Sequence, residues 1–180
     1  KSTLFKLING MLKAESGEIF CSFQPALMFQ NPDHQLLLPT CGSDLLLSLP
    51  HGLTNDQREI AIQNSLNQVG MSGMEDRPIH TLSGGQKQRL SLAGALASGA
   101  NLLLLDEPTA LLDPISQKSV LEIVRQLCSR SENPITAIWI THRLDELKYC
   151  DAAATMEKGQ VGDWFSGNDL FYRLKQLAGR

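Results

Sequence analysis

Leu102 to Thr109 reads LLLLDEPT. A short unbroken apolar run suits a strand buried on both faces of a parallel sheet, with helices covering each side. Asp106 and Glu107 end the run, and Pro108 cannot donate to a continuing ladder. Two adjacent carboxylates are thereby delivered to the C-terminal end of a strand, where parallel α/β sheets carry their reacting groups. Such a pair suits nucleotide hydrolysis: one carboxylate holds Mg²⁺, directly or through water, and its neighbour faces the water that attacks a phosphate. It equally suits a strand closed by two solvated acids ahead of a proline turn. The surrounding sequence has to decide.

Outward from this strand the chain alternates between strand and helix patterns. Upstream, Lys1-Ser2-Thr3 opens an amphipathic helix in which Leu4, Leu7 and Ile8 share a face and Gly10 closes the end. Ser16–Phe20 (SGEIF) reads as a turn into a short strand, and Ala26–Phe29 (ALMF) as a buried strand before a polar loop, QNPDHQ. Residues 41–80 read as helical, with Ile62, Leu66 and Val69 at helical spacing and breaks at Pro50, Gly70 and Pro78. LSGGQKQRLSLAGALA, from Leu82, is a turn opening a helix. Downstream, Val120, Val124 and Leu127 stripe a helix, and Ile135–His142 (ITAIWITH) reads as another buried strand. Ala152–Trp164 (AAATMEKGQVGDW) reads as a hairpin turning at Lys158-Gly159. The alternation predicts an α/β fold with a mainly parallel sheet and flanking helices.

Composition sets bounds on function. The 180 residues, 42% hydrophobic and 19% charged, suffice for one domain with a substantial core. A net charge of −3 with dispersed basic residues lacks the electrostatic footprint of a nucleic-acid binder, so no nucleic-acid partner is expected. The apolar runs are strand-sized and far below a bilayer span. Cys21, Cys41, Cys128 and Cys150 are scattered, with no C-x-x-C pair and no histidine at ligand spacing, and read as reduced structural thiols.

Leu82–Arg89, LSGGQKQR, is the second informative string. Adjacent glycines behind a serine at a helix start present unobstructed backbone N–H groups and the positive end of a helix dipole, an arrangement that binds anions. The alternative is a Gly-Gly turn with Ser83 as a plain N-cap. Lys1-Ser2-Thr3 matches the last residues of a phosphate-binding loop, G-x-x-x-x-G-K-[ST], and matches a routine Ser-Thr helix start as well.

In this order and spacing, LSGGQKQR, LLLLDEPT, ALLD (Ala110–Asp113) and ITHR (Ile140–Arg143) resemble the nucleotide-binding domain of ABC ATPases over essentially the whole chain. The resemblance implies a P-loop NTPase-type, mainly parallel sheet with flanking helices and an inserted helical subdomain, the first strands lying outside the chain. Residues 1–35 and 90–165 would form the ATP-binding core, and 41–89 the helical subdomain with the signature motif. It also implies ATP and Mg²⁺. Lys1 would reach the β- and γ-phosphates, Ser2 would ligate Mg²⁺, and Thr3 would support the α/β-phosphates. Gln30 would contact Mg²⁺ and the attacking water and sense a transmembrane partner. Asp106 would hold the metal, Glu107 would be the general base, Asp113 would belong to the D-loop, and His142 would contact the γ-phosphate. Ser83, Gly84, Gly85 and Gln86 would complete the site of a second ATPase subunit, so that two nucleotides lie between head-to-tail domains of a homo- or heterodimer.

Phe29–Gln35 (FQNPDHQ), Thr141–Val161 and the signature helix are similar to the cobalt-type, energy-coupling-factor ATPases, and among these to cyanobacterial and plastid members without fused membrane spans. That branch implies a peripheral ATPase on the cytoplasmic or plastid stromal face, bound to a transmembrane subunit and powering import of a vitamin or metal ion. Asp33 and His34 read as solvated loop residues. The chain departs from the family pattern in several places. The glycines that precede Lys1 in the family are absent from these 180 residues, which are therefore expected to hold ATP weakly. Gly17–Ala26 is short for a hairpin-bearing segment, and Ala110 stands where the D-loop commonly has serine. The alternative function is that of a soluble, non-transport ABC ATPase, for example of iron–sulfur assembly or DNA metabolism. The stretch from Lys1 to Ser83 leaves no room for the coiled coils of chromosome-organising members, and Gln30, Glu107 and His142 together count against a subunit without turnover.

Overall fold

The structure is a computed structural model in which residues 1–178 are described. α1 (Ser2–Ile8) precedes β1 (Pro25–Met28); α2 (Cys41–Ser48), α3 (Asn55–Gln68) and α4 (Gly84–Ala97) follow. Next come β2 (Leu102–Asp106), α5 (Pro114–Cys128) and β3 (Thr136–Ile140). A hairpin of β4 (Ala152–Glu157) and β5 (Gln160–Ser166) leads into α6 (Gly167–Ala178). Short 3₁₀ segments at Pro32–His34, Ile79–Thr81 and Leu144–Tyr149 lie in the connections.

The leucine run is apolar throughout because both faces of β2 are covered. β2 lies between β1 and β3 in a parallel sheet, with Leu104 level with Leu27 on one side and Ile138 on the other. Side chains alternate across a strand. Leu102 and Leu104 therefore pack with Phe5 of α1 on one face, while Leu103 and Leu105 join the larger core under the helices on the other. All four are at most 4% exposed, and burying each contributes about 1.5–3 kcal/mol.

α1 runs antiparallel to the strands. At its C-terminal end the Asn9 amide Nδ2 donates to the Pro25 carbonyl, where β1 begins, at 3.4 Å. The opposite end of the helix, with Lys1 to Thr3, therefore points toward the C-terminal edge of the sheet. Phe5 anchors it and, at 2% exposed, is the one fully buried side chain of α1; Leu4, Leu7 and Ile8, the stripe visible in the sequence, are half-buried around it.

Three expectations need correction. β1, read as buried, is fully buried only at Met28, while Pro25, Ala26 and Leu27 are half-buried. Ser16–Phe20 forms no strand: among the described residues no strand pairs with it, and Phe20 is 89% exposed. A strand without a neighbour leaves its backbone groups to water, and β-propensity alone does not hold it. β3 is half-exposed, not buried, with Ile138 open on the α1 side. Its Ala137 and Trp139 face the main core, but its outer edge borders a groove of about 710 Å³ whose walls include Leu4, Phe5, Ile138, Ala153 and Trp164. The 41–80 region does break where expected, into α2 and α3, and β4–β5 turns at Lys158 (φ 49°) and Gly159 (φ 82°), the paired left-handed residues that a two-residue hairpin requires.

Local chemistry sets the helix starts. Thr40, Thr54 and Ser83 each accept from the backbone N–H three residues on, and Ser43, Gln57 and Gln86 return a bond to the cap backbone. These are capping boxes, each occupying orphan donors at a helix start. α4 then carries Leu90, Leu92 and Ala93 into one core shared by α2, α3, α5 and the sheet face of Leu103 and Leu105.

Candidate active site at the C-terminal edge of the sheet

Because β1, β2 and β3 are parallel, their C-terminal ends open on one side of the sheet. Gln30 follows β1, Asp106 ends β2 with Glu107 next, and Thr141-His142 follows β3. Glu107 is drawn onto the β3 side: its N–H donates to the Ile140 carbonyl at 3.0 Å. Its φ is 49°, a left-handed conformation that a residue with a Cβ enters at a cost of about 1–3 kcal/mol and that concentrates at functional sites. From this bend the side chain meets His142, Nε2 lying 3.1 Å from Oε1. Asp106 and Glu107 are half-buried and His142 is exposed. A cleft of about 140 Å³ opens there, lined by Glu107, Thr109, Ala110, Thr141, His142 and Arg143.

The other expected residues converge unevenly on this edge. Lys1, Ser2 and Thr3 are exposed at the head of α1, and Lys1 lines the large groove together with Thr141 and His142. Gln30 is exposed at the start of a tightly tied turn. The Asn31 side chain accepts from Asp33 N at 3.0 Å, and the Gln35 amide closes the loop, accepting from Phe29 N at 3.1 Å and donating to the Leu27 carbonyl at 2.9 Å. Gln35 thus binds the β1 backbone as a short strand would. Asp33, read from sequence as a solvated loop residue, pairs with Lys87 of α4 at 2.6 Å and so ties the turn after Gln30 to the signature helix.

Ser83, Gly84, Gly85 and Gln86 sit apart from Lys1–Thr3, and no hydrogen bond joins the two sets among the described residues. Ser83 is exposed, and its backbone N–H donates to the Gln86 side chain at 2.9 Å. Gly84 is exposed, whereas Gly85 is buried against Ser116 in the first turn of α5. Asp113 caps α5, accepting from Ile115 N at 3.1 Å and Ser116 N at 3.0 Å. Ser116, through its side chain and its backbone N–H, holds the Asp113 carboxyl below the usual carboxylate range. Sequence reasoning missed Gln35, Lys87, Thr109, Trp139 and Glu146 as parts of this edge. Gln35, Thr109 and Glu146 lie within or beside the motifs already singled out, yet nothing in a string shows which backbone or side chain each would meet.

The family model for the ABC transporter matches residues 1–110. ABC transporter I family member 10 of Arabidopsis thaliana is 42% identical over 183 residues, covering 99% of this chain and 67% of that protein. The chain belongs to the ABC transporter family. It is an ATPase domain of that family, and binding of ATP is its shared property. It is similar to the energy-coupling factor transporter ATP-binding protein EcfA1 of Streptococcus sanguinis (strain SK36), 36% identical over 194 residues, covering 99% of this chain and 69% of that one. Among solved structures, cbiO1 from Clostridium perfringens, part of the ABC transporter complex cbiONQ, superposes with a TM-score of 0.86 at 30% identity over 99% of this chain and 77% of its own. The ATP-binding cassette MJ0796, solved as a dimer bound to ADP and Pi, shares the fold with a TM-score of 0.75 at 20% identity, over 92% of this chain and 79% of its own. The mainly parallel α/β sheet with flanking helices expected from the sequence is the fold of these structures. Among the described residues of the ABC domain, no helix is long and apolar enough to cross a membrane.

Proposed function

We propose that this ABC ATPase domain is the energy-coupling subunit of a membrane importer for a vitamin or metal ion, working as a head-to-tail dimer against a transmembrane subunit. The observation that carries the catalytic part is the Glu107–His142 pair, held at 3.1 Å on a left-handed bend beside Asp106. The similarity to EcfA1 and to cbiO1 of the cbiONQ complex supports the transport part. Glu107, oriented by His142, takes the proton of the water that attacks the γ-phosphate, and His142 also contacts that phosphate. Lys1 neutralises the β- and γ-phosphates and Thr3 supports the α/β-phosphates. Ser2, Gln30 and Asp106 offer a hydroxyl, an amide oxygen and a carboxylate, the hard oxygen set that suits Mg²⁺ alongside substrate phosphates. When bound there, the metal would neutralise charge developing on the phosphoryl oxygens. Ser83, Gly84, Gly85, Gln86 and Asp113 face the nucleotide of a second ATPase subunit. Residues 1–35 and 90–165 serve as the ATP-binding core and 41–89 as the helical subdomain. The protein sits peripherally on the cytoplasmic or plastid stromal face.

The test is Glu107→Gln in the intact protein. The amide keeps shape and removes the base, so ATP binding persists while turnover falls by about 10²-fold or more. Near-wild-type hydrolysis by the variant sinks the assignment. Purification from membranes together with a transmembrane subunit tests the transport part.

A further inference from the structure

Glu146 is a buried carboxylate that the mechanism above leaves unused. It is 6% exposed, with only 4% of the side chain reached by solvent. A buried carboxylate persists where donors satisfy its oxygens. Here two hydrogen-bond donors and a guanidinium converge on it from three segments. The Thr109 hydroxyl donates to Oε1, the Trp139 indole Nε1 donates to Oε2 at 3.0 Å, and Arg143 Nε lies 3.5 Å from Oε1.

The origin of these donors gives the contact its meaning. Thr109 belongs to the turn that begins at Glu107, and is itself 1% exposed. Within that turn Ala110 N donates to the Glu107 carbonyl at 3.1 Å, and Leu112 N donates to the Thr109 carbonyl at 3.1 Å. Trp139 lies in β3 next to Ile140, whose carbonyl holds Glu107 N. Arg143 directly follows His142. Glu146 therefore touches the turn carrying Glu107, the strand end that pins it and the segment carrying His142. Hydrogen bonds to a charged group are among the stronger ones available.

We infer that Glu146 is a positioning residue for the Glu107–His142 pair, fixing the separation of the two side chains from the buried side of the cleft. The inference rests on the catalytic reading of Glu107 and His142 given above. Small displacements of reacting groups are costly: about 1 Å of misplacement can lower a rate by about 10²-fold.

The experiment measures steady-state ATP hydrolysis by the intact protein as Glu146→Ala, Glu146→Gln, Thr109→Val and Glu107→Gln. Alanine leaves the Thr109 and Trp139 donors without their acceptor. It is expected to lower kcat about tenfold or more with KM for ATP within about twofold, the signature of a group acting on the reacting geometry and not on binding. Glutamine can accept from Trp139 and donate to the Thr109 hydroxyl, so it restores most of the kcat lost in alanine. Should Glu146→Ala fail to fold, Thr109→Val, which deletes one hydroxyl, carries the test and lowers kcat about threefold or more at unchanged KM. Wild-type kcat in folded Glu146→Ala or in Thr109→Val overturns the inference, as does a loss of rate that matches only the loss of folded protein. Glu107→Gln separates the two readings. If it hydrolyses ATP normally, the role of Glu107 fails; if it is inactive while Glu146→Ala and Thr109→Val turn over normally, only the role of Glu146 fails.

Discussion

Gly84 and Gly85 are neighbours in the signature motif, yet the structure assigns them opposite tolerance to a side chain. A Cβ built on Gly85 falls 2.5 Å from Ser116 Oγ and 2.7 Å from Ser116 Cβ. Rotating Ser116 removes the first clash but not the second, since its Cβ moves only with the backbone of α5. Gly85→Ala must therefore push the starts of α4 and α5 apart. Overpacking of this kind costs about 1–3 kcal/mol. At about 2–4 °C per kcal/mol for a domain of this size, thermal unfolding should fall by roughly 2–12 °C. A Cβ on Gly84 meets Leu112 Cδ2 at 3.5 Å, an ordinary contact, and Gly84 has no left-handed φ. Gly84→Ala should thus be neutral, or gain a little from reduced freedom of the unfolded chain, up to about 1 kcal/mol. Far-UV circular dichroism melts of the two variants make the comparison. Adding Ser116→Gly to Gly85→Ala should cost much less than the two changes summed, because the second substitution removes both clashing atoms. Equal melting of the two alanine variants, or strict additivity in the double variant, would refute the packing argument.

Gly84→Asp places a carboxylate where the proposed dimer brings the partner's γ-phosphate; the expected result is retained ATP binding by the monomer with lost dimerisation and hydrolysis, read by gel filtration with ATP. If monomer binding collapses while the fold survives, the motif acts within its own subunit. Asp113 has a folded-state pKa held below the ordinary aspartate value of about 3.9, so its cap stabilises the fold above that value and loses this effect as pH falls through the depressed one. Asp113→Ala should therefore lower the melting temperature at neutral pH, with the gap from wild type narrowing under acid, while Asp113→Asn, also a good cap, recovers most of it; a pH-independent gap counts against the capping account. Gln35→Leu removes two bonds to the β1 backbone, a loss of about 1–3 kcal/mol at about 0.5–1.5 each, and should speed amide exchange at Phe29. Unchanged exchange there would show that the clamp does not hold the turn.

What the string made legible follows from how far each signal reaches along the chain. The leucines of β2, the capping serine of α4, the helical spacing of Ile62 and Leu66, and the Lys158-Gly159 turn are local patterns, and each produced the element expected of it. Ser16–Phe20 carried strand-forming residues but no pairing neighbour among the described residues, and strand formation is a property of the pair. β3 misled for a related reason: Ile138 and Trp139 look alike as apolar letters, yet only Trp139 faces the covered side of the sheet. The contacts that the edge residues make were hidden by distance. Thr109 meets Glu146 across 37 residues and Lys87 meets Asp33 across 54. Those two contacts join the same two places that the motifs mark, the turn after β2 and the turn after β1. The motif residues sit on loops and helix starts, where backbone alone leaves side chains loosely aimed. A buried carboxylate behind Glu107 and a surface ion pair behind Gln30 supply the aim. A sequence can therefore announce the reacting groups of such a site while staying silent on the residues that hold them to within an ångström of one another.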